Sequence, residues 1–494
     1  MFEASHPFAF FDYFRIPYEV RPFQPGNGHA GAAAFVRTLT AVARPGQAAR
    51  SLMWIGADAG PAARGAAGQA GCYRLDDFTF FCHVTPDAAV QAMLPPPARR
   101  WRQAEPISAA DGRQVAAVWR DTDGNVFLPF DPGEVMRLFW SEGYREIGRS
   151  GVTAFCRAVA LRGYYLVRPA LPRPVQLAMR RLFTRVQSAS SFPRWPIEDS
   201  LHDFYDWLFA VIADVAGEPV PFLGPWPDGR SWALVLTHDV ETAAGYRDMD
   251  LLRAPERARG YRSSWNFVGA RYQVDDATVR SLQDDGFEAG VHGLWHDGRD
   301  LVERFLDERL PAMWEHARRW NAVGFRSPAT HRGWELMRKL GFEYDSSYTD
   351  TDPYEPQPGG CCTYLPYFNG DTVELPITLP QDHTLFTILQ HADAGLWLRK
   401  AGHIRDRGGL VLVLTHPDYA RDQPLADGYV TLLDTFADDG TAWRALPREV
   451  AAWWRSRAAS AIRATGDGWT IDGPAAGVGR VCFAGSRSMA GQPE

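Results

Sequence analysis

The amino-acid sequence predicts an α/β protein, in which an incomplete (β/α)7 barrel follows an N-terminal domain of mixed α/β structure. From residue 233 onward, short apolar runs alternate with amphipathic helical segments, a pattern typical of parallel strands connected by helices. The run at residues 410–414 contains no polar residue, as expected for a strand that is covered on both faces of its sheet. Seven such strand and helix units follow one another, one fewer than a complete (β/α)8 barrel needs.

The barrel strands are predicted where an apolar run ends in polar or turn-forming residues. They lie at residues 233–237, 264–268, 288–292, 323–326, 342–346, 373–377 and 410–415. The helices between them are clearest at residues 301–321, 333–340 and 394–407. In this architecture, polar side chains at the carboxyl ends of the strands indicate where chemistry takes place.

The rest of the chain is predicted to form three further segments. Residues 1–165 form an N-terminal accessory domain of unassigned role, residues 166–231 a proline-rich helical connector, and residues 458–494 a tail with a small hairpin, so that the barrel domain spans residues 232–457. Short strands are predicted in the N-terminal domain at residues 52–55, 78–83, 115–119 and 126–130, the last two joined by a turn.

Composition excludes several classes of partner. The chain has 494 residues, 46% of them hydrophobic, and its 52 basic and 59 acidic residues give a net charge of −7. This acidity provides no general attraction to nucleic acid, so no nucleic-acid partner is expected. No segment approaches the ~18 apolar residues of a transmembrane helix, and the N-terminus lacks a signal-peptide pattern, so we expect a cytoplasmic protein. The composition does not predict an oligomeric state.

Several cofactor and nucleophile motifs are absent or incomplete. The two lysines, Lys339 and Lys400, lie in Arg-Lys pairs within helical patterns, which argues against a Walker phosphate loop or a Schiff-base lysine. None of the six cysteines forms a C-x-x-C pair, and no G-x-S-x-G sequence is present. Residues 26–31 match G-x-G-x-x-G, but Pro22 and Pro25 interrupt the strand that a dinucleotide site needs, so a glycine-rich loop is predicted.

The first barrel strand ends in a pair of acids within the sequence THDVE, residues 237–241. Asp239 and Glu241 point to the same side of an extended chain because side chains alternate along a strand. Such a pair can divide its roles, one carboxylate binding a metal ion while the other stays free as a base. The alternative is that one of them caps the N-terminus of the following helix.

The third strand ends in a pair of histidines, His292 and His296. Residues four apart lie on one face of a helical segment, which is a common spacing of metal ligands. Two imidazoles and one carboxylate leave positions open for water on a zinc-like ion, as in catalytic rather than structural sites. The alternative is that each histidine has a surface or capping role.

Three further strand ends carry ionisable groups: Arg326, Asp345 and His416. An arginine can pair with the free carboxylate and keep it ionised, and a histidine supported by an aspartate can act as a general acid. Alternatively, Arg326 forms a structural ion pair and Asp345 caps a turn. The complete set, rather than any one member, indicates a catalytic site.

Together these motifs resemble the polysaccharide deacetylase family, also called the NodB-homology or carbohydrate esterase family 4 fold, over residues 232–420. Residues 237–241 are similar to the family's first motif, which implies that Asp239 is the base and Glu241 a metal ligand, although Asp-Val-Glu replaces the usual adjacent aspartates. His292 and His296 match the His-x-x-x-His motif that supplies the other two ligands.

The remaining motifs extend the resemblance. Arg326 is similar to the arginine that supports the base, and His416 matches the catalytic acid. Asp345 is similar to the aspartate of the fourth motif, whose tryptophan is not at its usual place here. The family implies a metal-dependent hydrolase that removes an N-acetyl, or in some members an O-acetyl, group from an amino sugar. One divalent ion is expected, zinc first, with cobalt, nickel or manganese as alternatives.

Two other functions remain open from the sequence. The same fold could be an inactive glycan-binding module, or it could hydrolyse a small N-acyl metabolite that is not a sugar. A binding module needs no free base beside a metal, which favours the enzyme. The aromatic insertion at residues 348–391, which contains Tyr354, Tyr364, Tyr367, Phe368 and the Asp382-His383 pair, is predicted either to line a sugar-binding groove or to form a structural lid.

Overall fold

The computed structural model describes residues 6–24, 35–41, 50–57, 70–147, 181, 192–466 and 468–485. These residues form two units that interleave along the chain. The first contains the described residues up to 147, residues 199–224 and those from 456 onward, and the second contains residues 181, 192–198 and 225–455. The glycine-rich loop predicted at residues 26–31 lies outside the described residues, as does most of the predicted connector before residue 192.

The first unit is built on an eight-stranded sheet. Its strands are β1 (Tyr18–Val20), β2 (Val36–Ala41), β3 (Leu52–Ile55), β4 (Ala70–Leu75), β5 (Phe78–His83), β6 (Trp101–Ala109), β7 (Gln114–Asp121) and β8 (Val126–Leu128). They lie in the order β1-β2-β3-β8-β7-β6-β4-β5. The strands predicted at residues 52–55 and 78–83 are confirmed, as is the hairpin of β7 and β8.

Helices of the first unit cover this sheet. They are α1 (Ala9–Phe14), α2 (Asp87–Met93), α3 (Pro132–Trp140) and α4 (Ser200–Ala216), and strand β9 (Val220–Leu223) follows them. Phe204 and Trp207 of α4 pack against Phe78 of β5 and against Phe130. Because α4 buries its apolar face on this sheet, it belongs to the first unit, whereas the sequence placed it in the connector at residues 166–231.

The second unit is built on a nine-stranded sheet. Its strands are β10 (Trp232–Val240), β11 (Ser263–Phe267), β12 (Glu288–Val291), β13 (Gly324–Phe325), β14 (Tyr344–Asp345), β15 (Tyr367–Asn369), β16 (Thr372–Glu374), β17 (Leu410–Thr415) and β18 (Ala442–Arg444). The order is β15-β16-β14-β13-β12-β11-β10-β17, with β18 beside the start of β10.

Seven strands lie side by side in the order β16-β14-β13-β12-β11-β10-β17, and all of them are parallel. This parallel sheet confirms the α/β class. Strand β10 is buried along its whole length between β11 and β17. After β16 the chain runs beside β17, where Thr378 donates to Leu410 O through its hydroxyl and to Leu412 O through its backbone N–H. The (β/α)7 barrel and the accessory role of the N-terminal part stay predictions.

The helices of the second unit connect these strands. They are α5 (Ala243–Asp248), α6 (Asp250–Ala258), α7 (Asp276–Asp284), α8 (Glu303–Trp320), α9 (Trp334–Arg338), α10 (Gly395–Asp406), α11 (Gln423–Thr435) and α12 (Pro447–Ala458). Strands β13 and β14 are shorter than predicted, and the chain leaves β13 just before Pro328, which has no N–H to donate. No helix of the described ranges is long and apolar enough to cross a membrane.

The C-terminal residues return to the first unit. Strands β19 (Ala461–Thr465) and β20 (Gly468–Asp472) form a hairpin, and β21 (Val481–Ala484) pairs with β9. Part of the tail predicted at residues 458–494, strand β21, therefore forms a two-stranded antiparallel sheet with β9.

Arg457, at the end of α12, is buried and donates hydrogen bonds to the backbone carbonyls of Tyr13, Leu223 and Gly224. Burial lowers the pKa of its guanidinium to about 10. One side chain thus ties three separate segments of the first unit together.

Replacing Arg457 by leucine should lower the free energy of unfolding by about 3 kcal/mol or more, because three buried carbonyl groups lose their donor. Urea denaturation followed by circular dichroism measures the loss. Arg463→Leu is the matched control, since Arg463 pairs with Asp472 at an exposed site and should cost about 0.5 kcal/mol or less. Equal losses in the two variants would contradict a structural role for the Arg457 hydrogen bonds.

Candidate active site

Asp239 lies buried at the carboxyl end of β10. Its Oδ1 accepts a hydrogen bond from Asn266 Nδ2 at 2.8 Å and lies 3.5 Å from Arg326 Nη1, while its Oδ2 lies 3.7 Å from His292 Nδ1. Burial opposes ionisation of the carboxyl group, but the neighbouring His292 and Arg326 side chains bring the pKa of Asp239 below its ordinary value. The group is therefore a carboxylate whose Oδ1 is held by the hydrogen bond from Asn266.

Glu241 follows two residues later and is less buried. Its Oε1 lies 3.0 Å from His296 Nε2 and 3.9 Å from His416 Nε2. Burial opposes its ionisation, but the hydrogen bond to His296 and the surrounding histidines lower the pKa of Glu241. Its backbone N–H donates to Asp418 Oδ2 at 3.0 Å, which fixes the chain at this point. The residue that caps the following helix, α5, is Thr242, so neither acid has the alternative capping role.

His292 directly follows β12 and is buried. Its Nδ1 lies 3.0 Å from the carbonyl oxygen of Arg326. Because a carbonyl only accepts, Nδ1 carries the hydrogen and the lone pair is on Nε2, for which the described residues provide no hydrogen-bond partner. Burial lowers the pKa of His292 to about 4, so the ring is neutral near pH 7. This is the arrangement that a metal-binding histidine needs.

His296 lies in the loop after β12, at a positive φ of 55°. Asp300 fixes this loop: its buried Oδ2 accepts the backbone N–H groups of Leu294, Trp295 and His296 at 3.1, 3.3 and 3.2 Å. Its Oδ1 accepts from Arg309 Nη1 at 2.6 Å. The sequence interpretation missed Asp300, and nothing in its local pattern distinguishes it from other loop aspartates.

Glu241, His292 and His296 form a group whose ligand atoms all lie within 4.8 Å of one another. It is the one group of three or more potential ligands found in the described ranges. Two imidazole nitrogens and one carboxylate suit zinc and related divalent ions. The free lone pair of His292 and the fixed loop of His296 both fit such an ion, so the predicted ligand set is brought together.

Arg326 lies beside Asp239 and is fully buried. Its Nη2 donates to Thr237 Oγ1 at 3.1 Å and to Ser346 Oγ at 2.8 Å. The guanidinium is thus fixed beside Asp239 by one hydroxyl group on β10 and another directly after β14. The arginine is where the sequence interpretation placed it.

Asp345 ends β14 and is also buried, and it lies near enough to Arg326 for that guanidinium to oppose the rise in its pKa. Its Oδ1 accepts from Ser347 Oγ at 2.7 Å, and it is the register partner of Glu374 on β16. Burial raises the pKa of Asp345. No hydrogen bond or ion pair among the described residues joins it to Asp239 or His416, so its role in the chemistry stays a prediction.

His416 follows β17 and is paired with Asp382. Asp382 Oδ1 lies 2.6 Å from His416 Nδ1, and Asp382 Oδ2 accepts the backbone N–H of His416 at 2.6 Å. Burial opposes protonation, but the Asp382 carboxylate raises the pKa of His416 to about 10. The ring is therefore an imidazolium at neutral pH, with Nε2 facing Glu241.

The sequence interpretation placed Asp382 in the aromatic insertion and did not connect it with His416. They are 34 residues apart, and they meet because the chain after β16 runs alongside β17. The aromatic residues of the insertion are buried, among them Tyr354, Tyr364, Tyr367 and Phe368. They offer little surface to a sugar ring, which does not support the predicted groove.

Comparisons with known proteins find matches among solved structures. No protein-family model matches the chain, and neither does any curated protein. A solved structure from Mycobacterium smegmatis, described as that of a polysaccharide deacetylase, matches with 19% identity over 47% of this chain and 94% of that one, at a TM-score of 0.38. A probable polysaccharide deacetylase from Pseudomonas aeruginosa PAO1 matches with 16% identity over 46% and 92%, at a TM-score of 0.37. Puue allantoinase matches with 16% identity over 47% and 92%, also at 0.37.

Replacing His292 and His296 together by alanine should abolish retention of a divalent ion, because two of the three ligand groups are lost. Elemental analysis of protein purified with zinc measures the occupancy, and circular dichroism checks that the fold persists. His316→Ala is the matched control, since His316 stacks on Trp320 and is outside the group. Unchanged occupancy in the double variant would refute the assignment.

Proposed function

We propose that this protein is a metal-dependent hydrolase that removes an acyl group, an N-acetyl group first of all, from an amino sugar of a glycan. The observation that carries the proposal is the group of Glu241, His292 and His296 beside a separate buried carboxylate, Asp239, and an imidazolium, His416. A module that only binds glycan would need neither the separate base nor the proton donor. All of these residues belong to the second unit, and we propose an accessory role for the first.

Glu241, His292 and His296 are the residues that would hold the divalent ion. When bound, such an ion acts as a Lewis acid, which polarises the acyl carbonyl and makes water more acidic. The two imidazoles and one carboxylate favour zinc, with cobalt, nickel or manganese as substitutes. Arg326 O orients the His292 ring and Asp300 fixes the loop of His296, so the ligands are in position before the ion binds.

Asp239 is proposed as the general base. It takes a proton from the attacking water, whose oxygen forms the new bond to the acyl carbon. Asn266 and Arg326 hold the carboxylate in the ionised form that accepts this proton. Asp345, whose Oδ1 accepts from Ser347, is proposed to support the strand end rather than to react.

His416 is proposed as the general acid. An amine is a poor leaving group until it is protonated, so breaking the C–N bond requires a donor on its nitrogen. His416 holds that proton on Nε2, and the Asp382 carboxylate stabilises the charged ring from the Nδ1 side. The products are then the free amine and the carboxylic acid, with the atoms of one water divided between them.

Replacing Asp239 by asparagine should leave metal retention intact and reduce the rate of acetate release from N-acetylated oligosaccharides by about two to four orders of magnitude, the usual effect of a positioned base. Rate and metal content are measured on the same preparation. Asp276→Asn is the matched control, because Asp276 pairs with Arg319 at an exposed position outside the site. A variant that keeps more than about a tenth of the rate would exclude Asp239 as the base.

Replacing His416 by glutamine should slow the hydrolysis of acetamides far more than that of activated esters, whose leaving groups need little protonation. Asp382→Asn tests the same role while keeping the ring. The variant loses the carboxylate that raises the pKa of His416 to about 10, so the acid form disappears at lower pH and the alkaline fall in amide hydrolysis should begin at lower pH. Equal rate losses on amides and esters would show that His416 is not the general acid and has a structural role instead.

A further inference from the structure

Arg271, in the loop after β11, is an exposed arginine whose guanidinium makes no hydrogen bond, ion pair or ring contact in the part of the chain that the structure describes. Two other exposed arginines of the second unit form ion pairs, Arg319 with Asp276 at 2.5 Å and Arg421 with Asp248 at 2.6 Å. A guanidinium can donate two parallel hydrogen bonds to one carboxylate or phosphate group. The donors of Arg271 are therefore available to a ligand.

The backbone before Arg271 is hydrogen-bonded to the loop that carries His296. The N–H of Ala270 donates to Leu294 O at 2.8 Å, and the N–H of the residue before Ala270 donates to Gly293 O at 3.1 Å. Leu294 is two residues before His296. One side of Arg271 is thus attached to the loop of a potential metal ligand.

The residue after Arg271 is attached to the strand that leads to Glu241. The hydroxyl of Tyr272 donates to Val240 O at 2.5 Å, and Val240 is the last residue of β10, directly before Glu241. Hydrogen bonds on both sides therefore place the backbone of Arg271 beside the segments that carry Glu241 and His296. A charged group on a fixed backbone binds a ligand with less loss of conformational entropy than one on a mobile loop.

The guanidinium of Arg271 is close enough to act on His296. Burial opposes protonation of His296, but the hydrogen bond to Glu241 favours it and the pKa of His296 lies above its ordinary value; the positive charge of Arg271 limits this rise. Salt largely screens exposed charges that are more than about 10 Å apart. The electrostatic effect therefore agrees with the hydrogen bonds in placing this charge beside the histidine.

Solvent reaches the potential ligand group on the side of the same two residues. The side chains of Glu241 and His296 are 21% and 17% exposed, whereas that of His292 is 1% exposed. A substrate whose acyl group reacts beside the buried Asp239 therefore approaches past Glu241 and His296. Arg271 adjoins the segments of both, so its charge lies on the path of the substrate.

The buried charges of the site already have partners. Arg326 Nη1 lies 3.5 Å from Asp239 Oδ1, and His416 Nδ1 lies 2.6 Å from Asp382 Oδ1. The whole chain has a net charge of −7, so it provides no general attraction to anions. An anionic group that approaches the site thus meets Arg271 as a local cation without a partner among the described residues.

We propose that Arg271 binds an anionic group of the substrate, a carboxylate or a phosphate, and that the protein acts on acidic rather than neutral N-acylated sugars. Both anions accept the paired donors of a guanidinium in charge-assisted hydrogen bonds, which the hydroxyl groups of a neutral sugar do not match. The inference rests on the proposed function, because the acyl group itself is assigned to the group of Glu241, His292 and His296.

The test compares three monosaccharides on zinc-loaded full-length protein: N-acetylglucosamine, which is neutral, N-acetylmuramic acid, which carries a carboxylate, and N-acetylglucosamine 6-phosphate. Acetate release gives KM and kcat, calorimetry gives Kd, and elemental analysis checks the metal content. Arg271→Gln should raise KM and Kd for at least one acidic sugar by about tenfold or more, the effect of losing a hydrogen bond to a charged group. This rise should exceed that for N-acetylglucosamine by about fivefold or more, with a smaller effect on kcat.

Two further variants and a salt series act as controls. Arg271→Lys keeps the charge but not the paired donors, so it should recover part of the affinity. Arg280→Gln is the matched control, because Arg280 is also exposed and unpaired among the described residues but lies within helix α7. In the wild type, added salt should weaken binding of the acidic sugar more than that of the neutral one, and this difference should disappear in Arg271→Gln.

The outcomes separate this inference from the proposed function. Affinity for an acidic sugar that depends on Arg271, in a protein that releases no acetate, would support the anion site and refute the hydrolase. Acetate release with the same KM in Arg271→Gln and wild type on all three sugars would support the hydrolase and overturn the anion site. Dependence on Arg271 for one acidic sugar alone would support the site and identify its anion. Equal losses on neutral and acidic sugars, an equal loss in Arg280→Gln, or wild-type protein that binds neither acidic sugar would overturn it.

Discussion

The site depends on the parallel pairing of seven strands, one of which is the fully buried strand β10. Parallel strands present their carboxyl ends at one edge of a sheet, so residues from distant parts of the chain meet there. Asp239, Asn266, His292, Arg326 and His416 each end or directly follow one of these strands. Register is part of the same constraint, since a shift of one residue would turn each of these side chains to the other face of the sheet.

This arrangement buries charged side chains, which costs free energy. Specific hydrogen-bond and ion-pair partners offset that cost. An isolated charge in a protein interior is expensive unless it is paired and hydrogen-bonded. Arg326 and Asn266 accompany Asp239, and Asp382 accompanies His416. His238 joins the two strands that carry them, because its ring nitrogens lie 2.7 Å from Thr415 Oγ1 and 2.8 Å from Glu256 Oε1. The protonation states are thus determined by the fold, as preorganised electrostatic sites require.

The sequence predicted those parts of the site that follow from local pattern. Apolar runs located the seven strands, and the ionisable residues that follow them included all three members of the potential ligand group. Asn266 was missed because only ionisable strand-end residues were considered, and it lies in the middle of the strand predicted at residues 264–268. Asp382 and Asp300 were missed because their contacts with His416 and with the loop of His296 depend on how the chain folds in three dimensions. Neither hydrophobic periodicity nor residue spacing predicts those contacts. Likewise, the periodicity of α4 predicted a helix but not the sheet on which it packs.

The interleaved order of the two units has a consequence for how the protein is made. Residues 225–455 of the second unit are continuous and leave the ribosome before residues 456–485, so the strands of its sheet are available for folding while synthesis continues. The first unit receives Arg457 and the partner strand of β9 only with the last described residues. Strand β9, outside the eight-stranded sheet, therefore has no strand partner among the described residues until translation is almost complete. A chaperone that shields exposed strand edges would act on this unit rather than on the one that carries the site.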